Sequence, residues 1–259
     1  MWKNKKNGIV VMNFSGIYRK EQFCKEEICW IDVQDISGTN CYCDGGAFEL
    51  LLHRIEKFPA GGIHFIDSGN YHYMSRIWLS RIKEPVTLVV FDNHTDMQIP
   101  AFGGLLSCGG WISSALEEEE NLKDVILIGP DEEAFSQVET NYREKVKFLS
   151  REKLREMKEA EKKKFIRACI NSDTIPLFLS IDKDILCPGE ADTSWSQGDM
   201  KLEELISLLK TVLDCAKAVG RQICNVDICG ESEAGKNGNR EENIRANKVI
   251  LDFLKNSEE

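Results

Sequence analysis

Two short runs of the sequence end in residues able to hold a divalent cation. The first, Val86-Thr87-Leu88-Val89-Val90-Phe91, leads into Asp92-Asn93-His94-Thr95-Asp96, and the second, Pro176-Leu177-Phe178-Leu179-Ser180-Ile181, leads into Asp182-Lys183-Asp184. In each, the liganding types stand two residues apart, so they share one face wherever extended geometry persists to the strand end. Both runs are continuously apolar, as central strands of a parallel sheet buried on both faces read. Open parallel sheets bind ligands at the carboxyl ends of their strands. Four aspartates and a histidine gathered there would raise their own pKa values or push the loops apart, and a divalent metal removes that conflict. One Asp-x-Asp after a strand is by itself an ordinary cap or turn. The two motifs together, on strands of one sheet, point to a metal centre.

The elements that must position these motifs are read from hydrophobic periodicity. Strands are expected at Ile9–Asn13, Ile28–Val33, Ile63–Asp67, Val86–Phe91, Asp124–Ile128, Pro176–Ile181 and Gln222–Ile228. Helical spacing appears over Ala47–Lys57, Tyr71–Ile82, Trp111–Glu118, Glu132–Tyr142, Glu159–Ile170, Leu202–Val219 and Glu242–Leu254. Strands alternating with helices imply βαβ units and a mostly parallel sheet covered on both faces. No Pro/Gly/Ser-rich linker and no internal repeat divides the 259 residues, so residues 1–259 are read as a single α/β domain. The polar stretch Glu231–Asn243 is expected to be a loop over one end of the sheet.

Composition narrows the function classes. The formal charge is −10 and no basic stripe emerges, which argues against nucleic acid. The lysines of Lys158–Lys164 are interleaved with Glu159 and Glu161 and form a solvated helix face. Apolar runs such as Val86–Phe91 fall far short of the ~20 residues of a membrane span. The apolar stretch Ile9–Met12 after a basic start is too short for a signal-peptide core. The ten cysteines show no CxxC pair and no zinc spacing, and several sit inside apolar patterns. A reduced, cytoplasmic protein is the expectation.

Asp92-Asn93-His94-Thr95-Asp96 resembles the D-A-H-x-D motif of the arginase, agmatinase and formiminoglutamase (ureohydrolase) family, and Ser180-Ile181-Asp182-Lys183-Asp184 resembles its S-x-D-x-D motif. The likeness covers most of the chain, from about Ile28 to the C-terminal helix. It implies a three-layer α/β/α sandwich around a mostly parallel central sheet, and two Mn2+ ions held by six side chains. By motif position, Asp92 and Asp182 would bridge the ions, Asp96 would bind one, and His94 and Asp184 would bind the other. The sixth ligand is a histidine on an earlier loop, with two candidates. His64 lies inside the apolar run Ile63–Asp67 and reads as a strand residue. His72 comes after that strand at the start of a helix, about twenty residues before Asp92, and its position favours it. His53 reads as a helix-surface residue. Carboxylates and imidazoles without thiolate suit a hard ion such as Mn2+.

The same resemblance implies a water activated between the ions that attacks the trigonal carbon of a small cationic guanidino, amidino or formimino compound. Trimeric or hexameric assembly is common in the similar family. This sequence departs from the family pattern in the residues that would face the substrate. Where arginases carry a proton-transferring histidine, Gly103–Trp111 has none, and Ser107 or Cys108 takes that place. The glutamate of D-x-x-E-x-N-P, which holds the guanidinium, is displaced by one position in Asp227-Ile228-Cys229-Gly230-Glu231. Glu231 is therefore a candidate catalytic residue with Cys108, and Trp195, in the loop Gly189–Met200, a candidate substrate wall. Two rival readings stay open: a hydrolase of a related linear amide, and a metal-binding relative without turnover. Two bound Mn2+ ions would bring the net charge from −10 to −6.

Overall fold

The apolar runs form a parallel sheet whose strands bury both faces. The computed structural model describes residues 8–21, 23–24, 28–99, 104–171, 173–232 and 240–257. In chain order its elements are β1 (Ile9–Asn13), β2 (Ile28–Asp32), β3 (Tyr42–Cys43), α1 (Gly45–Ile55), β4 (Ile63–Ser68), α2 (Met74–Leu79), β5 (Val86–Phe91) and β6 (Leu106–Ser107). Next come α3 (Trp111–Glu118), β7 (Leu122–Ile128), α4 (Glu132–Ser136), α5 (Thr140–Arg143), β8 (Val146–Leu149), α6 (Arg151–Glu156), α7 (Glu159–Ile170), β9 (Leu177–Asp182), α8 (Leu202–Ala218), β10 (Ile223–Glu231) and α9 (Arg240–Asn256). Side chains cap the helices where the sequence supplies them: Asp44, Asp131 and Ser150 accept from backbone N–H groups in the first turns of α1, α4 and α6.

Eight strands form one sheet in the order β2-β1-β4-β10-β9-β5-β7-β8, and every neighbouring pair is parallel. The strand period of two then builds two cores. On β5, Leu88 and Val90 pack with α1, α2 and α3, while Val89 and Phe91 pack with α7, α8 and α9. The result is the three-layer α/β/α sandwich. At the other end of the sheet, the buried Arg221 bonds the carbonyls of Ile170 and Ile175 and the Thr87 hydroxyl, fastening the starts of β5 and β9 together. No helix among the described residues is long and apolar enough to cross a membrane.

The differences from the sequence-based elements have local causes. β8 is a half-buried edge strand, so it lacks the continuous apolar run of its neighbours. The helix expected over Glu132–Tyr142 is interrupted between α4 and α5, where Val138 turns into the core. The one expected over Tyr71–Ile82 opens instead with a 3-10 turn at Gly69–Tyr71. Of the expected loop Glu231–Asn243, Glu231 ends β10 and Arg240 begins α9, while residues 233–239 lie outside the described residues.

Gly129, just after β7, has φ +122°, and a Cβ there would lie 2.1 Å from the Asp92 carbonyl oxygen. Gly220 also has positive φ, +76°, but opens onto empty space. Gly129→Ala is expected to cost about 3 kcal/mol or more in urea unfolding, against roughly 1–2 kcal/mol for Gly220→Ala, where only the left-handed backbone opposes a side chain. Equal costs would show that contact with Asp92 is unimportant.

Candidate metal centre

The strand order decides where the motifs meet. The chain passes from β4 to β5 across a gap that β9 and β10 fill later, so the ends of β4, β10, β9 and β5 lie side by side. That reversal of winding direction opens a crevice at the carboxyl edge. Asp92 follows β5 directly and Asp182 is the last residue of β9. On β9, Phe178, Ser180 and Asp182 alternate toward the α1–α3 layer, as Leu88, Val90 and Asp92 do from β5. The 3-10 turn after β4 brings His72 over the same spot. Asp96, in a left-handed backbone conformation with φ +49°, returns toward it, and its carbonyl accepts from the Ile112 N–H of α3.

Six side chains converge there. His72 Nδ1 lies 2.9 Å from Asp96 Oδ2 and 3.3 Å from both Asp92 Oδ2 and Asp182 Oδ2. His94 Nδ1 lies 2.8 Å from Asp184 Oδ2 and 3.6 Å from Asp92 Oδ1. The far nitrogen of each imidazole is held by a serine: His72 Nε2 by Ser180 Oγ at 2.8 Å and His94 Nε2 by Ser196 Oγ at 2.8 Å. Each aspartate is also anchored. The His94 N–H donates to Asp92 Oδ1, the Asp184 N–H to Asp182 Oδ1, the Asn93 N–H to Asp184 Oδ1, and the Trp111 indole to Asp96 Oδ2.

Burial makes this charge density costly. Burial and the neighbouring carboxylates push Asp182 and Asp184 above the usual carboxylate range, and burial with Asp92 pushes Asp96 up to about 6. For Asp92, burial is outweighed by the close imidazoles of His72 and His94, which hold it low. Burial disfavours both imidazoliums, yet the aspartates outweigh it, raising His72 well above its ordinary value and His94 to about 12. Two protons thus partly compensate four carboxylates when no metal is bound.

A divalent cation suits the same atoms better. Asp92 Oδ2 is buried with no hydrogen-bond partner, at the point where His72 and Asp182 also aim. His72, Asp92 and Asp182 form one group of potential ligands, and Asp92, His94 and Asp184 a second, each with its ligand atoms within 4.8 Å of one another. Asp92 belongs to both groups, as a residue serving two ions must.

The other candidates divide. Cys108 and Trp195 line the cavity above the cluster, a space of about 240 Å3 shared with Tyr42, Gln98 and Ser107. The Trp195 indole donates to Asn70 Oδ1 at 2.9 Å and meets the His94 ring edge-on at 6.0 Å. Burial first, and then Asp96, push the Cys108 thiol well up, so it stays protonated. Glu231 corrects the sequence expectation: it is fully buried and pairs with Lys183, outside the cavity lining. His64 is a core residue of β4 that bonds Asp227 Oδ1 at 3.0 Å and stacks on Trp78. His53 is exposed on α1 beside Glu56.

Sequence spacing missed Ser180, Ser196 and Trp111 as supports. Ser180 was the readable one, since it stands two residues before Asp182 on the same strand face. Ser196 lies 102 residues from His94, and no local pattern marks it.

Replacing His72 with Ala should weaken binding of one Mn2+ on the order of a hundredfold or more in metal titrations, whereas His64→Gln should keep both ions. The reverse result would move the ligand assignment to His64. Metal affinity should rise with pH, because His72 and His94 must lose protons to serve as ligands. Calorimetry in buffers of different ionisation enthalpy should find about two protons released per loaded chain, and no release would refute this assignment.

Comparison with known proteins agrees with the geometry. The model of the Arginase family matches residues 52–229. An uncharacterized protein of Thermotoga maritima is 28% identical over 254 residues, covering 95% of this chain and 89% of that one. Among solved structures, the proclavaminate amidino hydrolase of Streptomyces clavuligerus superimposes with a TM-score of 0.70 at 14% identity, covering 97% and 92% of the two chains. The formimidoylglutamase of Bacillus subtilis gives 0.69 at 17% identity, covering 98% and 89%, and the arginase of Bacillus caldovelox 0.70 at 14%, covering 96% and 98%. With that family match spanning the strands and loops that carry all six converging side chains, the chain belongs to the arginase family.

Proposed function

We propose that residues 1–259 act as one arginase-like unit in the cytoplasm, hold two Mn2+ ions, and hydrolyse a non-peptide C–N bond of a small guanidino, amidino, formimino or related amide compound. The observation that carries this reading is the pair of ligand groups that share Asp92. His72, Asp92, Asp96 and Asp182 would hold one ion, and Asp92, His94, Asp182 and Asp184 the other. Four carboxylates and two imidazoles are a hard donor set that favours Mn2+ over softer alternatives. When bound, such a pair of ions supplies Lewis-acid activation of water and of a trigonal carbon.

The chain's own residues do the positioning. Ser180 and Ser196 fix both imidazole rings with Nδ1 turned inward, as partners of ligating histidines do. The Trp111 indole anchors Asp96 by donating to the same Oδ2 that faces His72. Tyr42 and Trp195 flank the entrance, and the cavity is below the ~300–1,000 Å3 of pockets for drug-sized ligands, which suits a small molecule. Cys108 carries a proton at the cavity wall and is the proposed donor to the departing nitrogen.

One observation favours the rival reading of metal binding without turnover: residues 103–111 contain no histidine. Activity decides between the two. Mn2+-loaded protein should release ammonia, urea or an amine from at least one member of a panel of guanidino, amidino, formimino and N-alkyl amide compounds. Cys108→Ala should lower kcat on the order of a hundredfold while both ions stay bound. Two bound ions with no turnover across the panel would establish the rival.

A further inference from the structure

Among the described residues, the wall that should recognise a cationic head group carries no free anion, and this bears on the substrate class. Two divalent ions would be neutralised by Asp92, Asp96, Asp182 and Asp184, so a further cation in the cavity needs a carboxylate of its own. Among the described residues, the cavity lining beyond the six converging side chains is uncharged: Cys41, Tyr42, Gln98, Ser107, Cys108 and Trp195 with two glycines. Glu231 was the residue available for the task, and the fold has committed it elsewhere. Its Oε1 pairs with Lys183 Nζ and accepts from Asn247 Nδ2 at 2.8 Å, and Lys183 donates to Asn247 Oδ1 at 2.9 Å.

The backbone explains the diversion. Cys229 packs with the α1–α3 layer, and regular alternation would put Glu231 on that same side. Gly230 has φ +94°, which breaks the alternation and sends Glu231 toward α9, where Asn247 lies. Position 230 itself faces the cage, and a side chain there would place its Cβ 2.3 Å from Asp182 Oδ1 and 2.8 Å from the Lys183 nitrogen. No glutamate can therefore stand at 230, and the one at 231 already has its cation. The aromatic faces of Tyr42 and Trp195 attract cations more weakly than a charge-assisted hydrogen bond does.

We infer that the scissile group of the substrate is uncharged, an amide or ureido carbon rather than a guanidinium or amidinium, as the juxtaposition of Gly230 with Asp182 and of Glu231 with Lys183 requires. This rests on the hydrolase reading above and narrows it. The reaction balances with water alone: the C–N bond breaks and a C–O bond forms from water. One water proton goes to the departing nitrogen, leaving an acid or carbamate and an amine.

The test compares two head groups of equal shape. Protein first shown by metal analysis to hold two Mn2+ ions is titrated calorimetrically with N-propylurea and with N-propylguanidinium at pH 7.5. The urea should bind at least tenfold tighter. Equal or tighter binding of the guanidinium would overturn the inference, and its turnover would leave the hydrolase reading standing. Heat from neither probe at millimolar concentration would also overturn it. Failure to load two ions would bring down the hydrolase reading first and this one with it. As a second measure, the double variant K183M/E231M replaces the buried pair with apolar side chains of similar length, an exchange folded proteins commonly tolerate. It should keep the tenfold preference. A further tenfold loss of guanidinium affinity in that variant would show that Glu231 serves the substrate after all.

Discussion

Four carboxylates brought together away from water are the constraint on which the rest of this structure depends. Each would rather spread apart or take up a proton, and the rise of Asp182, Asp184 and Asp96 above the usual carboxylate range expresses that conflict. The fold meets it in two ways. Backbone N–H groups of Asn93, His94 and Asp184 hold one oxygen of Asp184, Asp92 and Asp182, respectively, so the second oxygen of each is aimed inward without freedom to rotate away. Two imidazoles then supply positive charge at the centre. Two positive charges against four negative ones leave a deficit, and cations at the same point remove it.

The architecture serves that arrangement. Only parallel strands whose ends lie level can deliver Asp92 and Asp182 from adjacent positions, and β5 and β9 pair over Thr87–Phe91 and Leu177–Ile181 to do so. Arg221 fastens the opposite ends of those strands, so the registry is set at the far edge from the site. The layers above and below contribute differently. The α1–α3 side receives the converging side chains and supplies Trp111, whereas on the α7–α9 side Lys183, Glu231, Asn247 and Glu21 form a polar group of their own beside the apolar core.

Much of this was legible in the sequence because it is local. Asp92, His94 and Asp96 keep a two-residue spacing after an apolar strand, as do Asp182 and Asp184, which marks both strand ends. Turns beyond β5 and β9, rather than the strand period, bring these residues together. That His72 rather than His64 joins the aspartate cluster was also readable, since a residue inside an apolar strand run is in the core while one just beyond it is at the edge. The illegible part depends on contacts between distant segments. Lys183 and Glu231 are 48 residues apart, and Ser196 reaches His94 across 102. The misreading of Glu231 had a specific cause: its side was inferred from position in a motif, and a single left-handed residue, Gly230, reversed it.

That reversal separates two kinds of residue in the site. Asp92 and Asp182 are set by the ends of β5 and β9, where strand pairing on both sides resists a slip of register. The cavity wall is set by residues just past the strand ends, where one residue more or less changes the face presented. A carboxylate moved from 230 to 231 is, in sequence, a shift of a single letter. In three dimensions it moves a negative charge from the cage side of β10 to the α9 side. Once there, Glu231 would be costly as a lone buried charge, and Lys183 is the group that makes the position tenable. Lys183 lies between two of the aspartates, with its own side chain on the opposite face from theirs, so a cation at that position compensates Glu231 without entering the cavity. The 3-10 turn over Lys183–Ile185 that follows β9, capped by Asp182, is thus what lets Asp182 and Asp184 face the cage while Lys183 faces Glu231.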